Sequence, residues 1–167
     1  TPLPDSSIGV LCASADVQAD RIETLVCGYS NSQTWVVGFQ IFYGSPTSES
    51  LWLEVEEYLK TTWQHPSGQD LRITRSFIDS GYETGAVYNF CRKLESLGVR
   101  AIKGVGGSNR AEIGRPTKNN TSRCNVFPLG VNTLKTQILA RLKIDDPKDS
   151  GFINFPDFLD EEFFLQL

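Results

Sequence analysis

Apolar and polar residues alternate along Arg21–Tyr29 (RIETLVCGY), and a mostly apolar run follows at Thr34–Tyr43 (TWVVGFQIFY), with only a polar Ser-Asn-Ser-Gln between them. A period of two places alternate side chains on one face of a sheet, and a strand of this kind joined by a short polar turn to a second strand-like run predicts an antiparallel pair. A shorter run of small and apolar residues precedes them, from Gly9 to Asp16 (GVLCASAD). The three together predict a meander that opens the domain. The period then changes. Leu51, Val55, Tyr58, Leu59 and Trp63 recur at helical spacing, which predicts a helix over Leu51–Trp63 with Ser48 or Ser50 as its cap. His65–Asp70 breaks that pattern, and Leu71–Ile78 returns as a strand running into Asp79. Val87, Phe90, Leu94 and Leu97 then mark a helix over Glu83–Leu97, which Gly98 stops ahead of a short strand at Val99–Lys103.

The second half repeats the alternation more loosely. Val126–Leu129 reads as a strand and Asn132–Leu142 as a helix with Leu134, Ile138 and Leu142 aligned. A polar loop over Asp145–Ser150 leads to a short strand at Phe152–Phe155 and a final helical segment, Asp157–Leu167. A meander followed by β/α units predicts an α/β domain with a mixed sheet flanked by helices. Thr1–Ser7, rich in Pro and Ser, reads as a lead-in, which leaves residues 8–167 as a single domain.

Two features do not serve packing. Asp16 and Asp79 each stand where an apolar strand runs out, and burying an unpaired carboxylate costs several kcal/mol. Side by side in a sheet, such strand ends could hold a divalent cation, with Asp160 as a third ligand and Glu161 or Glu162 in reserve. Three acids on separate elements suit a pair of Mg²⁺ or Mn²⁺ ions hydrolysing a phosphodiester, and their layout matches a ribonuclease H-like fold. Each acid also has a plainer reading: Asp79 as a helix cap or Asx turn, Asp16 as a turn former, Asp160 as an N-cap. The other feature is Val105–Arg123, a long Gly- and Asn-rich stretch with Arg110, Arg115, Lys118 and Arg123 against one acid, Glu112. It reads either as a solvated insertion or as a loop that grips a phosphate backbone without reading sequence.

Composition narrows the classes. The net charge is −4, but seven acids and one Lys are concentrated from Asp145 onward, against 15 basic and 13 acidic residues before it. A low overall charge therefore does not exclude a nucleic-acid partner. The four cysteines form no CxxC pair, which argues against structural zinc and for reduced thiols. The one histidine, His65, lies in a polar turn-like stretch that points to the surface. No GxxxxGK[ST] loop occurs, and no apolar run or leader pattern suggests a membrane or secretion. With no methionine, even at position 1, the chain reads as a piece of a longer intracellular protein.

Five stretches, in order, resemble one family: DVQADRIE (Asp16–Glu23), FIDSGYETGAVYNFCR (Phe77–Arg92), AIKGVGG (Ala101–Gly107), LGVNTLKTQILARL (Leu129–Leu142) and INFPDFLDEEFFLQL (Ile153–Leu167). They resemble the C-terminal nuclease domain of the lambda-type phage terminase large subunit. The resemblance implies an endonuclease that cuts concatemeric double-stranded viral DNA during genome packaging in the host cytoplasm. An ATP-driven motor would lie elsewhere in the protein, with the terminase small subunit and the portal as partners. By position, Asp16, Asp79 and Asp160 match the metal-binding acids, while Lys103 and Lys135 fall in motifs that place them near phosphates or the active site. Two other functions fit the same fold, an idle DNA-docking or motor-coupling module and a junction-resolving nuclease.

Overall fold

In the computed structural model, which describes residues Thr1–Leu167, the opening alternation forms the meander: β1 (Val10–Val17), β2 (Arg21–Tyr29) and β3 (Thr34–Tyr43) pair antiparallel in sequence order. The turn between β1 and β2 closes with the Gln18 amide donating to the Arg21 carbonyl at 2.9 Å, and this fixes a register that sets Asp16 opposite Glu23. The chain continues through α1 (Glu49–Leu59), β4 (Thr62–Gln64), β5 (Asp70–Asp79), α2 (Thr84–Lys93), β6 (Val99–Val105), β7 (Thr117–Lys118), β8 (Asn125–Gly130), α3 (Val131–Leu142), β9 (Ile153–Asn154) and α4 (Glu161–Leu165). The sheet runs β7-β8-β6-β5-β1-β2-β3-β9, with β4 paired to β5 outside that path. Neighbours β1, β5, β6 and β8 are parallel, so their C-terminal ends emerge along one edge.

The two faces of this sheet are covered unequally. On one, Leu11, Ala13, Ile22, Val26 and Ile78 are buried with Leu51 and Val55 of α1 and Val87 and Phe90 of α2. Trp52 and Phe90, with ring centroids 4.6 Å apart, join the two helices. The other face meets α3 and the C-terminal segment, where coverage is thinner: no residue of α3 is buried, and Ile138 is 46% exposed. Helical periodicity places Leu134, Ile138 and Leu142 on one stripe, yet that stripe lies over a half-open apolar cavity lined also by Leu25, Cys27 and Val36.

Several boundaries shift for local reasons. The helix expected to reach Trp63 ends at Leu59, and the β-branched Thr62 begins a short strand instead, where Trp63 packs against Gly38 so closely that an added Cβ there would meet its ring at 2.6 Å. Ser48 is the N-cap residue of α1, but its hydroxyl bonds Ser50 and not the helix amides. The helix over Glu83–Leu97 divides into α2 and a 3-10 turn at Glu95–Leu97. At the C-terminus only Glu161–Leu165 is helical. Thr1–Leu3 pairs with the end of β4: the Leu3 amide donates to the Gln64 carbonyl at 2.8 Å and its side chain is buried. His65, half-buried, reaches the Ser6 carbonyl from Nε2 at 3.1 Å. The cysteines are all free thiols, with Cys91 and Cys124 buried and Cys12 and Cys27 half-buried.

One buried charge ties α1 to α2. Glu56 is 8% exposed, and its two oxygens accept from Lys60 at 2.5 Å and Lys93 at 2.8 Å. The hydrogen bonds from Lys60 and then Lys93 hold its carboxyl below the usual carboxylate range. A folded pKa below the unfolded one means the stabilisation is present above the unfolded value, about 4.3, and is lost as pH falls through the folded value. Glu56→Gln is therefore expected to lower stability at neutral pH and to converge on the wild type in acid. Urea melts of both proteins across that range check it; a constant gap at every pH would show that the pair contributes no pH dependence.

Candidate active site

Asp16 and Asp79 come together as neighbours. β1 and β5 pair in parallel with Ala15 beside Ile78, and one step further in the same register sets Asp16 beside Asp79 on one face, at the C-terminal ends of both strands. Adjacent strands are about 5 Å apart, within reach of a shared cation. Asp16 is exposed and accepts a 2.9 Å hydrogen bond on Oδ2 from Gln18 Nε2. Asp79 is half-buried and accepts from the Gly81 amide on Oδ1 at 3.3 Å, an Asx turn that leaves Oδ2 open. Behind it, the amide and hydroxyl of buried Ser80 both donate to the Ile102 carbonyl, at 2.9 and 2.7 Å, which anchors the turn to β6. Asp79 does not cap α2, whose N-cap is Glu83 in a left-handed conformation.

Asp160 stands apart from this pair. It is the N-cap of α4, its Oδ1 accepting from the Phe163 amide at 3.0 Å, and it borders a cavity with Glu23 of β2, the residue opposite Asp16. Glu161 and Glu162 follow it, both exposed. No three His, Cys, Asp or Glu side chains are gathered closely enough to hold a metal ion. The Asp16–Asp79 pair by itself offers hard oxygen donors from two carboxylates, a donor set that suits Mg²⁺ or Mn²⁺, since such ions use one or two carboxylates and keep other positions for water and phosphate.

The family model for the terminase large subunit gpA endonuclease domain matches residues 1–167, the whole chain. The chain belongs to that family. A curated relative, the terminase large subunit of Enterobacteria phage P21, is 30% identical over 162 residues, covering 93% of this chain. The chain spans 25% of that relative's length. No solved structure matches it significantly. No helix is long and apolar enough to cross a membrane.

Within this terminase nuclease domain, the six candidate DNA-binding cations are exposed and none is in an ion pair. The fold separates them. Lys103 lies near the end of β6, and Lys135 in the first turns of α3, on the same edge as Asp79. The Arg110 carbonyl accepts from Thr133 at 2.9 Å, which ties Arg110 to the start of α3, and Arg115 follows Gly114, whose amide donates to the Pro128 carbonyl at 2.8 Å. Lys118 instead pairs with Asn125 at the opposite, N-terminal end of β8, and Arg123 adjoins it. The loop is therefore not a free insertion: Ile113 bridges Leu129, β7 pairs with β8, and Gly130 packs against the Ala111 carbonyl.

Two residues at the edge carry no signal in the sequence pattern. Glu23 faces Asp16 directly and is held by Arg21 Nε at 2.6 Å, with its side chain 10% exposed. Tyr43 opposes Arg21 at the end of β3 and is 74% exposed. In an alternating strand both read as ordinary outward positions. Counting register from a two-residue turn at Ala19-Asp20 would have paired Glu23 with Asp16.

Proposed function

We propose that the chain is a ribonuclease H-like endonuclease domain, residues 8–167 with 1–7 as its lead-in, that hydrolyses phosphodiester bonds of double-stranded concatemeric viral DNA during genome packaging. The observation that carries this reading is the Asp16–Asp79 pair at the ends of adjacent parallel strands, in a chain of a terminase endonuclease family. Asp16 and Asp79 would hold Mg²⁺ or Mn²⁺, with Asp160 as the further ligand of a two-ion site. Such ions supply Lewis-acid activation of water and charge stabilisation at the leaving oxygen when bound. The chain's own part is positional. β1 and β5 hold two carboxylates at fixed spacing, the Ser80–Ile102 hydrogen bonds stop the Asp79 turn from drifting, and no side-chain nucleophile is required. Lys103, Arg110, Arg115 and Lys135 would grip the backbone near this edge, while Lys118 and Arg123 would touch DNA further along the duplex. In a longer protein, a motor, a small subunit and a portal would deliver the substrate in the host cytoplasm.

Nicking of supercoiled plasmid in Mn²⁺, abolished by chelator, tests the reading; branched DNA cut in preference to linear duplex would redirect it to junction resolution. The idle docking module is the second reading, favoured by Asp160, whose Oδ1 serves as a helix cap and which is not grouped with the other two acids. It would bind DNA and never nick it.

The basic edge makes its own prediction. Reversing both Arg110 and Arg115 to Glu is expected to weaken duplex binding and to reduce the slope of log affinity against log salt by about two, one for each phosphate no longer neutralised. The melting transition should stay in place, since the Arg115 side chain makes no hydrogen bond and the Arg110 side chain only a local one to the Gly106 carbonyl. Fluorescence anisotropy across a salt series reads this out, and an unchanged slope would remove the loop from the DNA interface.

A further inference from the structure

We propose that a cavity of about 220 Å³ beside the acidic edge binds one unstacked nucleobase of the DNA strand, with a preference for guanine. This deepens the nuclease reading and rests on it for its place in the reaction. The cavity lies between the ends of β2 and β3 and helix α4. Its volume falls below the roughly 300 Å³ at which sites for drug-sized ligands begin, which restricts it to a group about the size of a base. Phe39 and Ile41 give it an apolar floor, and Tyr43 contributes an exposed aromatic ring. An apolar floor beside a free aromatic face is what an unstacked base needs to replace its lost neighbours.

The polar lining points to the identity of the base. Arg21 is paired with Glu23 at 2.6 Å and Asp20 at 3.0 Å, so its positive charge is offset by two carboxylates. Glu162 has no hydrogen bond or ion pair, and Asp160 keeps one oxygen free beyond its cap. Three carboxylates against one paired arginine give the lining a net negative charge that disfavours phosphate, so the backbone stays outside and a neutral base enters. Among the bases, guanine offers two adjacent donors on its pairing edge, which match the two oxygens of one carboxylate. Glu23 borders the cavity and stands opposite Asp16 on the next strand, which puts the site within a nucleotide's reach of the candidate cleavage centre.

The test uses this chain and short oligothymidines carrying a central dG, dA, dC or abasic position, with binding measured by anisotropy in chelator so that no metal or cleavage is involved. The dG strand is expected to bind about fivefold or more tighter than the abasic one. Tyr43→Ala should erase that difference and Tyr43→Phe should keep it; both should melt like the wild type, because the side chain is exposed. Glu162→Gln should shrink the advantage of dG over dA. Equal binding of all four strands, or a dG preference that survives Tyr43→Ala or Glu162→Gln, overturns the proposal. Wild-type protein that prefers dG in chelator but never nicks plasmid in Mn²⁺ would support the base site while defeating the nuclease reading, and nicking with no base preference would do the reverse.

Discussion

Asp79→Asn is expected to lower plasmid nicking in Mn²⁺ by at least about a hundredfold, the scale seen when one preorganised electrostatic group is removed from an active site, while leaving the thermal midpoint nearly unchanged. The geometry makes this substitution a clean one. Asp79 has two jobs on two oxygens: Oδ1 closes the turn onto the Gly81 amide at 3.3 Å, and Oδ2 is open. Asparagine keeps an amide oxygen for the turn and removes the negative charge that would hold a cation. If Asp79 were only a turn former, activity would survive. Asp16→Asn should give a similar loss, and the double variant should be little worse than either, because two ligands of one site act as a unit and their effects do not add. Nicking at the wild-type rate by either single variant would sink the metal-dependent nuclease.

Gly98→Ala is expected to destabilise the fold by about 3–5 kcal/mol, the sum of left-handed strain and overpacking. Gly98 has φ +83, and an added Cβ would meet the backbone carbonyl oxygen of Thr74 at 2.3 Å. That atom belongs to β5 and cannot rotate away as a side chain does. The Gly98 carbonyl also accepts from the Ser76 amide at 3.1 Å, so relief of the clash would pull on the pairing of β5 with β6 and disturb the strand that presents Asp79. Gly68 provides the control: its φ is +87 but nothing lies within 4 Å of an added Cβ, so Gly68→Ala should cost only the backbone strain, about 1 kcal/mol. Chemical denaturation of the two variants checks the contrast, and equal losses would show that the approach to Thr74 relaxes at no cost.

The elements nearest to a pure period are the most legible. Arg21–Tyr29 buries every second residue and, like Thr34–Tyr43, forms a strand with the expected bounds. Trp63 misleads because its spacing from Leu59 is helical, whereas pairing with β5 draws Thr62–Gln64 into a strand. The stripe on α3 also reads as core, and what it meets is a half-open cavity, because periodicity reports which residues share a face and not how well that face is covered. Glu23 and Tyr43 do not stand out because a polar or aromatic residue at an outward strand position looks the same wherever the strand sits in the sheet.

The amino-acid sequence by itself determined the meander, the β/α alternation, the two strands with an aspartate at or next to their last residue and the ordered motifs of the terminase endonuclease family, all of which are local patterns along the chain. Tertiary structure alone decided which side chains share an edge. Parallel pairing of β1 with β5 brings Asp16 beside Asp79, although 62 residues of chain lie between them. The antiparallel return of β7 carries Lys118 to the opposite end of β8, although it lies only eight residues from Arg110. Strand direction and register govern both placements, and they are set by long-range hydrogen bonding and burial that no local period records.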